Sequence, residues 1–310
     1  MAKSLLQYMQ MLDDPSRRWP APPKIEEIKA TPSIKPLAGL KLIAWDPYGT
    51  LIRIADGQLE PIVPQMLRME IALDKTLKEF NMWNSMTRKP GAPWEYLWQI
   101  YQKIVEDSKL QAKVKKGETP DPNMASYWRK VLGKLEQKSY SYDESIYGDL
   151  DELSLKIAWF FQASLQGWEV SEEIARTFEL SPISQTLAGD GQPFTVDQLT
   201  LGMLRKSASI STLRENWGQL SWQTGMRAVS PSFWEKFAKS LQSHGLESDR
   251  VAIVSSRMPV LAAAKTSHFK TILYAVEKSG LIASNEDFRD PAKKPDRLLT
   301  NPRQILDIMA

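Results

Sequence analysis

A short apolar run that ends in an acid, a proline and a glycine constrains this chain more than any other feature. The run covers Leu42 to Trp45, and residues 46–51 follow it as DPYGTL. This pattern predicts a buried parallel strand that leads into a tight turn. Ligands of open α/β sheets bind beyond the carboxyl ends of the strands, so we expect Asp46 to lie at a binding crevice.

The turn itself contains residues that suit chemistry. Gly49 lets the backbone turn sharply, and the hydroxyl of Thr50 can hydrogen-bond either to an anion or to the turn. A carboxylate at the position of Asp46 can act as a covalent nucleophile, or it can cap a turn between a strand and a helix. The residues alone leave both roles open.

Composition excludes several kinds of function. The 310 residues suffice for one large domain or for a core with a second module, and an apolar share of 42% is typical of a globular protein. The net charge of +3 is spread along the chain, so we expect no nucleic-acid partner. The absence of cysteine excludes disulfides and thiolate metal sites, and two histidines, His244 and His268, are too few for a His-rich site.

Hydropathy predicts a cytoplasmic protein without a membrane partner. No apolar run reaches the roughly 18 residues that a membrane-spanning helix needs, and no signal peptide is recognisable.

Residues 1–40 are predicted to form an accessory arm. Ser4 to Leu12 have the spacing of a short amphipathic helix, and prolines from Pro20 to Pro36, after Trp19, favour an extended connection. The arm would be a tether packed along the core, or its helix would dock on a protein partner or a second subunit.

The middle of the chain carries helical periodicity and no strand alternation before about residue 183. Breaks fall at 88–91 and 115–121. The predicted helices are Ile62–Met82, Pro93–Ser108, Pro122–Gln137 and Tyr142–Gln166.

Strands and helices alternate in the last third, which implies a parallel, doubly wound sheet. The predicted strands are Ser184–Ala188, Gln219–Trp222, Val251–Val254, Thr271–Val276 and Arg297–Thr300. The predicted helices are Thr195–Lys206, Pro231–Ser243, Pro259–Phe269 and Pro302–Met309.

The first motif resembles hhhhDxxGT[LV] of the haloacid dehalogenase (HAD) superfamily. Because Tyr48 stands where the phosphatases carry a second Asp, the form is most similar to that of the L-2-haloacid dehalogenase branch. The resemblance implies an α/β fold with a HAD-like, Rossmann-like three-layer core at 41–54 and 183–310. It also implies a large helical cap at 55–182, inserted after the first strand, and an aspartyl-ester intermediate at Asp46.

The remaining motifs depart from the family pattern. Asp190, between two glycines, occupies the place of the second motif's Ser or Thr, and it is either a second carboxylate of the site or a turn residue. If it lies near Asp46, one of the two should have a raised pKa. The lysine of the third motif falls on Ala228, and Arg227 is the nearest cation.

The fourth motif matches the dehalogenase form VSSNxxD at Ser255 and Ser256, whereas Arg257 replaces the Asn and Val260 the Asp. A Mg²⁺ site needs oxygen ligands from this motif, so we expect no cofactor, and Mg²⁺ is disfavoured. Arg257 is instead expected to pair with Asp46. Such a pair would lower the pKa of Asp46 and also engage its carboxylate.

These departures predict a HAD-type hydrolase relative with a degenerate active site that is weakly active or inactive. The alternatives are a metal-independent, dehalogenase-type hydrolase with Asp46 as nucleophile and an atypical phosphatase. A small anion would bind against Arg257 and the turn amides of residues 48–50, while the arm and the cap would offer surfaces for a homo-oligomer or a protein partner. The candidate site residues are Asp46, Tyr48, Thr50, Asp190, Ser255, Ser256 and Arg257.

Overall fold

The computed structural model describes residues 2–14, 20–85, 91–112, 115–121 and 123–309. Its strands are β1 (Leu42–Trp45), β2 (Arg53–Ile54), β3 (Trp168–Glu169), β4 (Ser184–Gly189), β5 (Gln219–Leu220), β6 (Val251–Ser255), β7 (Lys270–Tyr274) and β8 (Arg297–Leu299).

The α-helices are α1 (Leu5–Met11), α2 (Met66–Glu79), α3 (Pro93–Gln111), α4 (Met124–Glu136), α5 (Glu144–Tyr147), α6 (Leu150–Leu165), α7 (Glu172–Glu179), α8 (Thr195–Leu204), α9 (Ser221–Thr224), α10 (Pro231–Ser243), α11 (Met258–Lys265), α12 (Asn285–Arg289) and α13 (Gln304–Ile308). Short 3-10 turns cover Trp83–Ser85, Glu215–Trp217 and Ser248–Arg250. Among the described residues, no helix combines the length and the apolar character that crossing a bilayer requires.

Six strands form one sheet in the order β5-β4-β1-β6-β7-β8, and every neighbouring pair is parallel. The strand β1 is central, with Leu42 opposite both Ser184 of β4 and Val251 of β6. Parallel strands end at a common edge, so the residues after β1, β4 and β6 meet there. The sheet confirms the predicted parallel α/β class.

The sheet is buried on both faces. Alternate residues of β1 enter different apolar clusters, since Ile43 and Trp45 lie in one and Leu42 and Ala44 in the other. The second cluster includes Phe237 of α10, whereas the first extends to helices from the arm and the middle of the chain. Helices therefore cover both faces, and the predicted three-layer arrangement is confirmed.

The helices α2 to α6 lie between β2 and β3, which pair with each other as an antiparallel ribbon. We call residues 55–167 the helical insert. The long helix predicted at 142–166 is two helices, because Gly148 adopts a left-handed φ of 80° and Asp149 caps the start of α6. Pro122 and most of the predicted break at 88–91 lie outside the described residues.

The insert covers the carboxyl ends of β4 and β5. The backbone N–H of Asp121 donates to the Gly225 carbonyl at 3.0 Å, and the N–H of Arg227 donates to the Thr119 carbonyl at 2.8 Å. The N–H of Met124 donates to Oε1 of Gln192 at 2.7 Å. Because Gln192 follows β4 and Gly225 follows β5, Thr119, Asp121 and Met124 of the insert lie on the edge where Asp46 lies.

The strand predicted at Gln219–Trp222 is present only over its first two residues, and the prediction is wrong for the other two. Only Gln219 and Leu220 pair with β4, and the chain then turns into the short helix α9, which ends at Gly225 with a φ of 70°. The apolar pattern was too short to separate strand from helix. The helix α7 was not predicted, although Ser171 caps it with its side chain.

The arm lies along the rest of the chain. Its predicted helix is present as α1, which begins with a capping box made by Ser4 and Gln7. Further on, the N–H of Ser33 donates to the Leu298 carbonyl of β8 at 2.9 Å, and the N–H of Leu37 donates to the Ile308 carbonyl at 2.9 Å. These contacts match the predicted tether. Trp19 lies outside the described residues.

The buried aromatic face of α10 should be a main source of stability. Phe237 is fully buried and stacks on Phe269 with ring centroids 5.4 Å apart. We expect Phe237→Ala to lower the free energy of unfolding by about 3–5 kcal/mol, because it leaves a cavity in the second apolar cluster. Urea unfolding followed by circular dichroism measures this. Lys236→Ala on the exposed side of α10 is the control, and equal midpoints for the two variants would contradict the assignment.

Candidate functional site

Asp46 is fully buried at the edge where the strands end. Its backbone N–H continues the ladder by donating to the Val254 carbonyl of β6 at 2.9 Å. Its Oδ2 accepts a hydrogen bond from Oγ of Ser255 at 2.6 Å. The strand register thus brings the first and fourth motifs into direct contact, as the parallel sheet predicts.

Arg257 follows β6 and binds two carboxylates at once. Its Nη2 donates to Oδ1 and Oδ2 of Asp46 at 2.9 and 2.7 Å, and its Nε donates to Oδ2 at 3.0 Å. Its Nη1 donates to Oδ2 of Asp190 at 2.6 Å. The predicted contact between Arg257 and Asp46 is therefore present, and the guanidinium is 3% exposed.

Asp190 is more than a turn residue, because both of its oxygens are bound. Oδ2 accepts from Arg257, and Oδ1 accepts from the backbone N–H of Ala228 at 2.7 Å. Ala228 is the position at which the sequence lacks the motif lysine. The preceding Gly189 has no room for a side chain, since a Cβ there would lie against the carboxylate of Asp46. A glycine at 189 therefore lets the two carboxylates share one cation.

Two carboxylates on one guanidinium have opposite pKa shifts. Burial raises the pKa of Asp46, and Arg257 offsets this only in part while Asp190 adds to it. Burial also acts to raise the pKa of Asp190, but Arg257, Arg227 and the N–H of Ala228 outweigh it and lower that pKa. The expectation that one of the two has a raised pKa is confirmed. Arg257 does act to lower the pKa of Asp46, as expected, but complete burial outweighs the ion pair and the net shift is upward.

The other predicted site residues lie around this cluster. The Tyr48 hydroxyl is directed to α8, where it donates to Oε1 of Gln198 at 2.8 Å and lies 3.1 Å from Oγ1 of Thr195. Oγ1 of Thr50 accepts from the backbone N–H of Ser256 at 3.2 Å. The structure thus brings Asp46 together with Asp190, Ser255 and Arg257, whereas Tyr48 bonds to α8 and Thr50 bonds to the backbone of Ser256.

A second charged cluster was not predicted. Arg227 donates to both oxygens of Glu60 at 2.8 and 3.3 Å, and its Nε lies 3.7 Å from Oδ1 of Asp121. The Oγ of Ser221 donates to the buried carboxylate of Asp121. Burial raises the pKa of Asp121 to about 6, although Arg227 lowers it. Arg227 lies between α9 and α10, outside any strand, and the sequence carried no signal for Asp121.

The cluster does not fit Mg²⁺. Within the described ranges, no three or more His, Asp or Glu side chains are grouped to hold a metal ion. Asp46 and Asp190 could supply oxygens, but the guanidinium of Arg257 lies against both carboxylates. A divalent cation would need these oxygens and would be repelled by the fixed positive charge.

A cavity of about 630 Å³ lies away from Asp46. Its lining includes Leu12 of the arm, Lys75, Trp159 and Trp168, and Arg205 at the end of α8. None of the predicted site residues lines it. The cavity and the predicted chemistry thus lie in different places. We assign the candidate site to Asp46, Asp190, Ser255 and Arg257, because these four predicted site residues are in direct contact at the carboxyl ends of the strands.

No protein-family model matches the sequence, and no curated protein matches it. The fold is similar to solved structures, among them the L-2-haloacid dehalogenase of Xanthobacter autotrophicus with chloropropionic acid covalently bound. The TM-score is 0.43 at 18% identity, over 86% of this chain and 97% of that chain. A defluorinating L-2-haloacid dehalogenase gives 0.42 at 13%, over 90% and 100%. A haloacid dehalogenase-like hydrolase of Streptococcus pneumoniae gives 0.40 at 12%, over 86% and 97%.

The shared guanidinium predicts strong coupling between Arg257 and Asp46. Arg257→Ala should lower the free energy of unfolding by about 3–5 kcal/mol, because it leaves two buried carboxylates without their cation. Adding Asp46→Asn should recover part of the loss, since one of the unpaired charges is then gone. Urea unfolding of the two single variants and the double variant gives the coupling energy.

Arg250→Ala is the matched control for this cycle, because its side chain is about half exposed and lies just before β6. We expect it to change the free energy of unfolding by no more than about 0.5 kcal/mol. If Arg257→Ala and Arg250→Ala have the same free energy of unfolding, the buried ion pairs do not stabilise the fold.

Asp121 predicts a pH dependence of stability. Its pKa of about 6 in the folded protein lies above the ordinary value of 3.8, so the folded state holds a proton that the unfolded state releases. Stability should therefore fall as the pH rises from about 4 to about 6, by up to about 3 kcal/mol. Asp121→Asn should flatten this part of the profile in urea unfolding at a series of pH values. The exposed control Asp249→Asn should have the same dependence of unfolding free energy on pH as the parent. If Asp121→Asn also has the parent's pH dependence, the assignment to Asp121 is refuted.

Proposed function

We propose that this chain is a HAD-type hydrolase relative in which Asp46 does not act as a nucleophile. The single observation that supports this most is that both oxygens of Asp46 are hydrogen-bonded by Arg257, and one also by Ser255. A carboxylate forms an ester only when a lone pair of one oxygen can approach the substrate carbon. Here Oδ2 already accepts hydrogen bonds from Ser255 and Arg257, and the guanidinium also engages one lone pair of Oδ1, so Arg257 obstructs that approach.

The burial of Asp46 adds to the same conclusion. Among the residues described, Asp46 has no exposed surface, and Ser255 and Arg257 are at most 3% exposed. A substrate would therefore need an opening of the insert in addition to a displaced guanidinium.

Hydrolysis of an aspartyl ester also needs a base to activate water. The Asn and the Asp of the dehalogenase form are Arg257 and Val260 here, and Val260 is fully buried and apolar. Asp190 is the nearest carboxylate, but Arg257 and the N–H of Ala228 already bind it. Within the described part of the chain, the Ser255 hydroxyl and both oxygens of Asp190 are already engaged, so neither is placed to serve the second half of the reaction.

A metal-independent hydrolase with Asp46 as nucleophile is the second candidate. One observation favours it: Arg257 supplies a positive charge next to Asp46, as the missing lysine would. The atypical phosphatase has less support, since the carboxylates do not fit Mg²⁺.

Binding of a small anion has similarly little support. Such an anion would have to displace a carboxylate from Arg257, and the N–H of Gly49 already donates to the Ile52 carbonyl at 2.9 Å. We therefore propose a structural or regulatory role for this site in place of turnover.

An activity assay with an Asp46 variant tests this proposal. Purified protein is incubated with 2-chloropropionate and with p-nitrophenyl phosphate, each with and without Mg²⁺, and chloride and nitrophenolate release are measured. We expect the parent, Asp46→Asn and the exposed control Asp249→Asn to give the same background rate. Intact-mass analysis should find no covalent adduct on the parent.

Three outcomes would contradict the non-catalytic proposal. Chloride release that Asp46→Asn abolishes and Asp249→Asn retains identifies Asp46 as the nucleophile of a dehalogenase-type hydrolase. Phosphate ester hydrolysis that requires Mg²⁺ and Asp46 supports the phosphatase. An adduct without turnover would show that Asp46 attacks the substrate and that only ester hydrolysis fails.

A further inference from the structure

The arm helix α1 packs on the helical insert through one aromatic side chain. The ring of Tyr8 lies 6.2 Å from that of Phe80, 6.0 Å from Tyr147 and 6.1 Å from Trp159, measured between centroids. Its hydroxyl donates to Oε1 of Glu79 at 2.8 Å. All four partners belong to the insert, and Tyr8 is fully buried among them.

The same end of the arm is bound to the core. Asp13, just after α1, accepts from Nε and Nη2 of Arg205 at 3.0 and 2.6 Å. Arg205 follows α8, a helix that connects two strands of the sheet, and its guanidinium lies 4.5 Å from the ring centroid of Trp168. Residues 2–14 therefore contact the insert and the core at the same time.

The next part of the arm crosses the ribbon through which the chain enters and leaves the insert. A Cβ at Gly167 would collide with the Ala21 carbonyl, so the arm passes in direct contact with this position. Arg53 of β2 donates through Nη2 to the Pro23 carbonyl at 2.8 Å and through Nε to Glu277 at 2.7 Å. The arm therefore contacts the chain both where it enters the insert and where it leaves it.

Beyond the ribbon, the arm is hydrogen-bonded to the core. The N–H of Lys278 donates to the Glu26 carbonyl at 2.8 Å, and Ser33 and Leu298 exchange backbone hydrogen bonds at 2.9 and 3.2 Å. The arm is thus fixed to the sheet on one side of the ribbon and to the insert on the other.

We propose that residues 2–14 and 20–38 act as a strap that fastens the helical insert to the sheet and holds the crevice over Asp46 closed. A rotation of the insert about the ribbon must pull Tyr8 out of its aromatic pocket or break the ion pair of Asp13 with Arg205. The capping box at Ser4 and the buried side chains of Leu5 and Met9 make α1 a rigid end of the strap. This inference does not depend on whether Asp46 is catalytic.

Hydrogen exchange of the double variant Tyr8→Ala/Asp13→Asn tests the strap. The informative peptides cover 118–124 and 225–230, because the amides of Thr119, Asp121, Met124 and Arg227 bond across the boundary between insert and core. We expect exchange there to be about ten- to a hundredfold faster than in the parent, as the loss of an aromatic cluster and an ion pair predicts. Peptides from β1 and β6 should exchange as in the parent.

The matched control is Glu26→Gln, which removes an exposed ion pair between the arm and Lys278 without touching the insert. It should leave the boundary peptides unchanged. Parent-like exchange at the boundary in the double variant would overturn the proposal. Equal acceleration at the boundary and in β1 and β6 would also overturn it, because the arm would then stabilise the whole fold and not the closed position.

A milder variant keeps the test decisive if the double variant does not fold. Tyr8→Phe retains the ring and removes only the bond to Glu79. A smaller acceleration confined to the same boundary peptides supports the strap, and no acceleration there, or one spread over the sheet, refutes it.

Discussion

The guanidinium of Arg257, shared by Asp46 and Asp190, is the interaction on which this structure depends. It joins the ends of β1, β4 and β6, and nearly all of it is removed from water. Buried charges are tolerated only when they are paired and hydrogen-bonded, and here one cation serves two carboxylates with help from Ser255 and an N–H group. The raised pKa of Asp46 reflects this incomplete compensation.

The same interaction stabilises the buried carboxylate of Asp46 and makes it less available for reaction. The hydrogen bonds that let Asp46 be buried also engage lone pairs on both of its oxygens, and an attack on substrate would need one of those oxygens. Arg227 extends the network, because it acts on the pKa of Asp190 and also pairs with Glu60 of the insert. A chain of alternating charges therefore runs from the sheet into the insert, and opening the crevice would disrupt it at several points.

On the opposite side of the β2–β3 ribbon, the arm holds the insert through a different set of contacts. There an aromatic pocket around Tyr8 contacts the insert, and the ion pair of Asp13 with Arg205 contacts the core. The cavity of about 630 Å³ lies between the arm, the insert and α8, so it belongs to this contact region and not to the cluster around Asp46. Two separate sets of contacts thus keep the insert against the sheet.

Sequence alone determined the features that depend on neighbouring residues. The apolar runs at Leu42–Trp45 and Val251–Val254, the capping residue Ser4 and the bounds Pro231–Ser243 of α10 were all predicted, because propensity and periodicity act over a few positions. The family resemblance of the motifs, which implies that the strands before Asp46 and Arg257 are neighbours, was also enough to predict that Arg257 binds Asp46.

Only the tertiary structure decided the direction of the pKa shift of Asp46, the orientation of the Tyr48 hydroxyl and the participation of Asp121. These depend on partners 100 or more residues away and on how much water packing excludes, and neither quantity is encoded in local sequence.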